Sequence, residues 1–236
     1  MRRRLFFAAM PTIPSWPWAG ASSRLKNCMR TPDPNAEPVI LLHGLWMRGY
    51  VMVLLAKRLR AAGFAPEIVE YLTLFNTPER AAEKIRQRMR RYGDRPVHLV
   101  GHSLGGLVAL IATAEDAPAG RTVCLGSPLC GSQSAKRLSR IAPTLIGKSG
   151  LRLIDGVDAW TGSREVGVIA GNLSRGLGRL GGGLEGENDG TVRVAETRLP
   201  GISDHLVMHA THTGLPFSAA CTQQVIAFLH NGRFAA

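Results

Sequence analysis

Ser103 stands in Gly101-His102-Ser103-Leu104-Gly105, directly after the apolar run Val97-His98-Leu99-Val100 and before Leu104 to Ile111. A serine at a sharp turn from buried strand to helix has its hydroxyl lifted clear of the sheet, and glycines two residues before and after it leave room for the strained backbone of such an elbow. Leu104, Leu107, Val108 and Ile111 recur at one-face helical spacing. The helix they form packs on the strand and aims its N-terminal N–H groups at the serine. The chemistry expected of such a residue is nucleophilic attack, and Ser103 is the candidate nucleophile.

A serine hydroxyl needs an adjacent base at neutral pH, and the base needs an acidic residue to hold its tautomer and stabilise its charged form. Seven histidines compete for the role. His98 falls inside a strand, His102 is built into the elbow, His43 ends the first strand, His205 precedes the last strand, His209 lies within it, and His230 caps the last helix. His212, in His212-Thr213-Gly214-Leu215, alone follows that strand's carboxyl end. For the acid, Asn188-Asp189-Gly190-Thr191-Val192 also falls on the carboxyl side, and an Asp-Gly turn exposes its carboxylate. Asp189 is therefore the candidate, a plain turn residue being the alternative reading. Asp204 precedes the last strand on the opposite edge, and Asp155 and Asp158 belong to an insert. Stabilising an oxyanion takes two preorganised donors. The backbone N–H groups of Leu104, just past the serine, and of Leu45, in the loop His43-Gly44-Leu45-Trp46, fill these places.

The elements that position these residues alternate along the chain. Apolar runs at Val39 to Leu42, Pro66 to Leu72, Val97 to Val100, Thr122 to Leu125, Val166 to Ala170 and Leu206 to Ala210 read as six strands. Helical segments separate them: one from Tyr50 to Ala62 ended by Gly63, one opened by Thr77-Pro78, one after the elbow, and one from Phe217 to His230. This order predicts an α/β fold with a mostly parallel sheet covered by helices on both faces, whose ligand site lies beyond the carboxyl ends of the strands. Two stretches break the rhythm. Residues 132–163 read as one or two helices over the top of the sheet, with room for a small cap, and the glycine-rich stretch from Asn172 to Glu187 reads as a mobile loop.

With 236 residues, 45% of them hydrophobic, the chain suits one well-buried domain, expected from residue 38 to residue 236. Residues 1–37 read as a poorly ordered leader. Arg2-Arg3-Arg4, the apolar Leu5 to Met10 and Ala19-Gly20-Ala21 also have the parts of a secretory signal, interrupted by Pro11, Pro14 and Pro17. The expected location is the cytoplasm, with export through this weak signal as the alternative. Cys28, Cys124, Cys130 and Cys221 lack metal-type pairing and read as small hydrophobes or free thiols. The formal net charge of +12 favours anionic surfaces without specifying any chemistry. Arg80, Lys84, Arg86, Arg88, Arg90 and Arg91 lie opposite an apolar stripe of Ala81, Ala82, Ile85 and Met89, which is the solvated back of an amphipathic helix. No aromatic residues interleave there as stacking platforms, so no specific nucleic acid is expected. Gly147-Lys148-Ser149 is not a phosphate loop, because Ala142 stands where its first glycine belongs.

Pro38 to Gly44, Gly101 to Gly106, Asn188-Asp189-Gly190 and His212 to Leu215 together resemble the α/β-hydrolase superfamily in its lipase and esterase branch. The small bacterial lipases look most similar, and the resemblance covers residues 37 to 232. Nucleophile, acid and histidine occur in that family's order. The resemblance implies an α/β-hydrolase fold and cleavage of a carboxylic ester through an acyl-enzyme, with no metal or organic cofactor. The expected partner is a small-molecule ester or lipid, with peripheral contact to an anionic membrane as a further option. An acyltransferase or amidase on the same residues is the rival enzyme reading. A non-catalytic basic scaffold binding anionic surfaces is the rival outside catalysis.

Overall fold

A computed structural model describes residues 35–115, 117–175 and 184–236. The expected leader, up to residue 34, and the glycine-rich stretch at 176–183 lie outside the described residues. The strands are β1 (Pro38–Leu42), β2 (Ala65–Ile68), β3 (His98–His102), β4 (Thr122–Leu125), β5 (Val166–Gly171) and β6 (Asp204–Met208). They form one sheet in the order β2-β1-β3-β4-β5-β6, with every pair parallel.

The helices are α1 (Val53–Ala61), α2 (Pro78–Arg90), α3 (Leu104–Thr113), α4 (Gln133–Ile141), α5 (Pro143–Ile146), α6 (Gly150–Asp155) and α7 (Ala219–Asn231). Side chains alternate across a strand, and β1 shows the consequence. Ile40 and Leu42 pack with Ile85 and Met89 of α2 and Leu107 of α3. Val39 and Leu41 pack with Leu55 and Leu59 of α1 and Val225 and Phe228 of α7. Both faces of the sheet are thus covered, which is why its strands read as nearly continuous apolar runs.

Local chemistry sets the helix ends. The Thr77 hydroxyl accepts from Arg80 N with Pro78 in the first turn of α2, Ser218 caps α7 through Cys221 N, and Gly232 ends α7 at φ 73°. These are the side-chain N-cap and left-handed C-cap that helix termini require. On the outer face of α2, Glu83 pairs with Arg86 and Arg90, and Arg88 pairs with Glu67. Cys124 and Cys221 are buried free thiols, whereas Cys130 is an exposed one.

Several boundaries differ from the reading of the sequence. The second strand ends at Ile68. Val69 and Tyr71 are buried; Val69 N still donates to the Leu41 carbonyl, whereas Tyr71 turns beneath the β1 loop to stack on His43, so the apolar alternation imitates a longer strand. The first helix opens as a 3₁₀ turn at Gly49–Met52. The last strand spans Asp204–Met208, which puts His205 inside it and His209 just beyond it. Residues 133–155 form three short helices joined by a 3₁₀ turn.

The chain runs from β1 outward to β2, then returns past β1 to β3. Strand order therefore reverses between β1 and β3, where a crevice opens at the carboxyl ends. Leu42 lies opposite Gly101 in that pairing, so the residues that follow, Gly44 and Ser103, meet across it.

Candidate active site

The turn from β3 into α3 is close-packed around its glycines. A Cβ on Gly101 would lie 2.3 Å from the Gly105 carbonyl oxygen, one on Gly105 would lie 2.5 Å from that of Leu42, and one on Gly106 would lie 2.1 Å from Ser127 Oγ. No side chain fits at these positions, and the helix start is drawn tightly against the sheet. Ser103 takes φ 55° and ψ −121°, in a region non-glycine residues seldom occupy and hold only where the surroundings impose it. Its amide donates to the Leu125 carbonyl at 2.8 Å, pinning the elbow to β4. Among the described residues, no group hydrogen-bonds to its hydroxyl.

Asp189 and His212 are joined twice. His212 Nδ1 lies 2.7 Å from Asp189 Oδ2, and the His212 amide donates to the Asp189 carbonyl at 2.9 Å. The other carboxylate oxygen, Oδ1, accepts from Thr191 N at 3.0 Å and Val192 N at 2.7 Å. An ionised carboxylate can only accept, so Nδ1 is the protonated ring nitrogen and Nε2 is left with its lone pair. Gly190, at φ 93°, turns the chain so that both amides face the carboxylate. Asp189 is 1% exposed and His212 7%.

Gly126, at the end of β4, makes room for the pair. A Cβ there would lie 3.1 Å from both Asp189 Oδ2 and His212 Nδ1, and its own φ is 55°.

His102 ties this pair to the elbow. Its Nε2 lies 2.9 Å from the His212 carbonyl oxygen, and the two rings are 4.8 Å apart between centroids. A carbonyl only accepts, so His102 Nε2 carries the proton. Burial first, and then the neighbouring His212, push the His102 pKa down to about 3. The ring is neutral at ordinary pH, and Nδ1 remains a buried nitrogen without a hydrogen-bond partner.

The loop after β1 carries the remaining candidates. Leu45 precedes Trp46, a non-glycine residue at φ 59°, in a turn closed by Met47 N donating to the Gly44 carbonyl. Among the described residues, neither the Leu45 nor the Leu104 amide is taken by another group. Gly44 approaches the elbow closely, since a Cβ on it would lie 3.0 Å from Ser103 Cβ. Beneath the loop, the His43 ring stacks on Tyr71 at 4.6 Å, and the Tyr71 hydroxyl donates to the His43 carbonyl. Burial, and then the Glu70 carboxylate, raise the Tyr71 pKa above its ordinary value, so that the phenol stays a donor. Glu70 Oε2 lies 3.3 Å from His43 Nε2, and its Oε1 accepts from Gly49 N at 2.5 Å. From above, Trp46 Nε1 donates to the Leu145 carbonyl of α5 at 2.6 Å.

The structure thus brings Asp189 and His212 into direct contact, sets His212 against the residue that precedes Ser103, and places the Leu45 loop against the elbow. The rival histidines have other surroundings. His205 Nε2 contacts Thr197 Oγ1 at 2.8 Å, His98 Nε2 contacts Glu37, and His209 is exposed. Asp204 accepts from Phe234 N on the opposite edge. Sequence reasoning missed the linking role of His102 and the Tyr71–His43–Glu70 support. Both depend on partners distant in the chain, and the buried run around Tyr71 was the only signal of the second. Among the described residues, no group of three His, Cys, Asp or Glu side chains is gathered as a metal site requires.

Known proteins agree with this architecture. A family model described as alpha/beta hydrolase family matches residues 39–215, whereas no curated protein matches in sequence. Among solved structures, a Bacillus licheniformis lipase superposes with a TM-score of 0.66 at 19% identity, over 86% of this chain and 95% of that one. A lipase-esterase related protein from Clostridium acetobutylicum gives 0.63 at 11% identity, over 85% and 96%. A metagenomic carboxyl esterase gives 0.63 at 16% identity, over 86% and 72%. At such identities these likenesses speak for the fold. The family match reaches from β1 through the loop after β6 and takes in every candidate residue, so the chain belongs to the alpha/beta hydrolase family.

Proposed function

We propose that the protein is a serine hydrolase that cleaves carboxylic esters through an acyl-enzyme, with Ser103 as nucleophile, His212 as base and then acid, and Asp189 as the residue that orients it. The observation that carries this reading is the doubly tied Asp189–His212 pair, which leaves a lone pair on Nε2 and is held against His102, the residue before Ser103.

His212 Nε2 takes the hydroxyl proton as Ser103 Oγ bonds to the ester carbonyl carbon, and the carbonyl π pair moves onto oxygen. The Leu45 and Leu104 N–H groups hold that oxyanion, and they suit the task because nothing else engages them. Collapse of the adduct expels the alkoxide, which takes its proton from His212 Nε2. Water repeats the sequence, releasing the carboxylic acid and restoring Ser103. Asp189, with one oxygen occupied by two backbone amides, keeps the other fixed on Nδ1 and stabilises the imidazolium of each step. Hydrogen bonds between nucleophile and base are often long before substrate binds, which accommodates a Ser103 hydroxyl without a partner.

The substrate class follows from the site's surroundings. Leu45, Trp46 and Met47 belong to the loop that packs against the elbow and are partly or largely exposed, which suits an apolar acyl or aromatic group, and esters or lipids are the expected substrates. The test is a panel of nitrophenyl esters of increasing chain length, run with and without a competing alcohol. Free acid is the expected main product, and Ser103→Ala and His212→Ala should each lower turnover by on the order of 10³ or more. Turnover that persists in Ser103→Ala overturns the proposal, and transfer to the alcohol in preference to water would make the protein an acyltransferase.

A further inference from the structure

We infer that the surface formed by the β1 loop, the loop after β2 and the 133–152 segment docks on an anionic lipid surface. Soluble proteins seldom gather large exposed apolar side chains in one place without a partner for them. Here Phe75 is 70% exposed, Ile141 80% and Leu151 76%, with Trp46, Leu72 and Leu145 each about half exposed. Hydrogen bonds hold these residues on one platform. Trp46 is tied to the Leu145 carbonyl, Lys148 N donates to the Leu74 carbonyl, and Ser149 Oγ donates to that of Thr73 at 2.7 Å.

Helix α4 shows the same design within one element. Its apolar residues Ala135, Leu138 and Ile141 recur every three positions, and they run from buried through half-buried to exposed. The stripe therefore leaves the protein core and continues into solvent. An amphipathic helix of this kind, with basic residues beside its apolar face, suits the interface of a bilayer.

Charge chooses the partner. From Gln133 to Arg152 the sequence contains no Asp or Glu, while Lys136, Arg140 and Lys148 are exposed. Along the platform the Glu79 carboxylate is paired with Arg152, and the exposed carboxylate of Asp155 stands at the end of α6, past the basic stretch. A cationic rim around an apolar patch matches negatively charged headgroups over acyl chains. It does not match a neutral bilayer, and a second copy of the same surface would repel it.

The experiment is co-sedimentation of the full chain with vesicles of phosphatidylcholine alone and of equal parts phosphatidylcholine and phosphatidylserine. Binding requires no turnover, so Ser103→Ala protein serves, and the result is independent of the proposed chemistry. The expected result is binding to the mixed vesicles only. Combining Lys136→Glu, Arg140→Glu and Lys148→Glu should weaken it by about a hundredfold or more, given roughly fivefold per charge removed. Ile141→Asp with Leu151→Asp, both at exposed positions, should also abolish binding while leaving circular dichroism unchanged. An equal charge change at the opposite edge of the sheet, Arg60→Glu with Arg91→Glu and Arg233→Glu, should cost far less. Equal losses in the two charge variants would reduce the effect to net charge and overturn the assignment. So would equal binding to both vesicles, no binding to either, or a dimer in sedimentation velocity that Ile141→Asp dissociates.

Discussion

The imidazole of His102 donates from Nε2 to the backbone carbonyl of His212 at 2.9 Å, joining the residue before Ser103 to a loop 110 positions later in the chain. His102 is fully buried and held neutral, so this is a fixed neutral donor. In the proposed mechanism it positions His212 through its main chain, while Asp189 orients the ring.

Replacing His102 by Phe keeps the ring volume but leaves the buried His212 carbonyl without a donor, which costs about 1–3 kcal/mol of stability. Steady-state ester kinetics should show kcat lowered with KM little changed. His102→Gln, whose amide can donate in the same direction, should recover part of the loss. A merely space-filling role would leave Phe the better replacement.

The same group makes stability depend on pH. Folded His102 has its pKa depressed from 6.5 to about 3, whereas the unfolded chain binds the proton near the ordinary value. Between these limits the unfolded state holds more protons, so stability rises with pH and is lost as pH falls through that window. His98 and His205 are shifted in the same direction, chiefly by burial. Urea midpoints measured from pH 6.5 toward pH 4 should fall steadily, and His102→Gln should flatten the curve relative to the native chain.

Asp189→Asn separates fold from chemistry. The side-chain oxygen can go on accepting from Thr191 and Val192, but an amide NH₂ facing Nδ1 forces the imidazole proton onto Nε2 and removes the basic lone pair. Turnover should drop by on the order of 10³–10⁴, with the thermal midpoint almost unchanged. A loss of activity matched by loss of fold would instead make Asp189 a turn residue.

Gly126→Ala puts a methyl 3.1 Å from both members of the acid and histidine pair, at φ 55°. The backbone conformation alone costs about 1–2 kcal/mol, and the methyl also crowds the pair. Chemical denaturation should report the first cost, and ester turnover should fall further than that cost explains.

Trp46→Phe removes the indole donor to Leu145 while keeping an aromatic ring beside the Leu45 amide. A single neutral hydrogen bond contributes about 0.5–1.5 kcal/mol, so kcat/KM should fall roughly two- to tenfold with little change in the thermal midpoint. Equal activity in the two proteins would show that α5 does not position this loop.

Much of the fold was legible because parallel strands buried on both faces must be apolar. Thr122–Leu125 was found where the reading placed it, and the α2 start followed from Thr77-Pro78. The same rule misled at Tyr71, which is buried under the β1 loop and outside the sheet. It also misled at His209, since the last strand stops at Met208. The carboxyl-edge argument therefore did not separate His209 from His212 by itself; the Asp189 contact distinguishes them. Long-range supports were illegible for a different reason. Nothing near His102 in sequence reveals that its partner is a carbonyl at 212, nor does anything near Gly126 announce the pair it must clear.

The central claim is that the hydroxyl of Ser103 is an activated nucleophile, and labelling with a fluorophosphonate followed by peptide mass mapping tests it most directly. A single adduct on the peptide containing Ser103, absent in Ser103→Ala and slowed by orders of magnitude in His212→Ala, is the expected result. No adduct on folded protein, or one that survives Ser103→Ala, would contradict it.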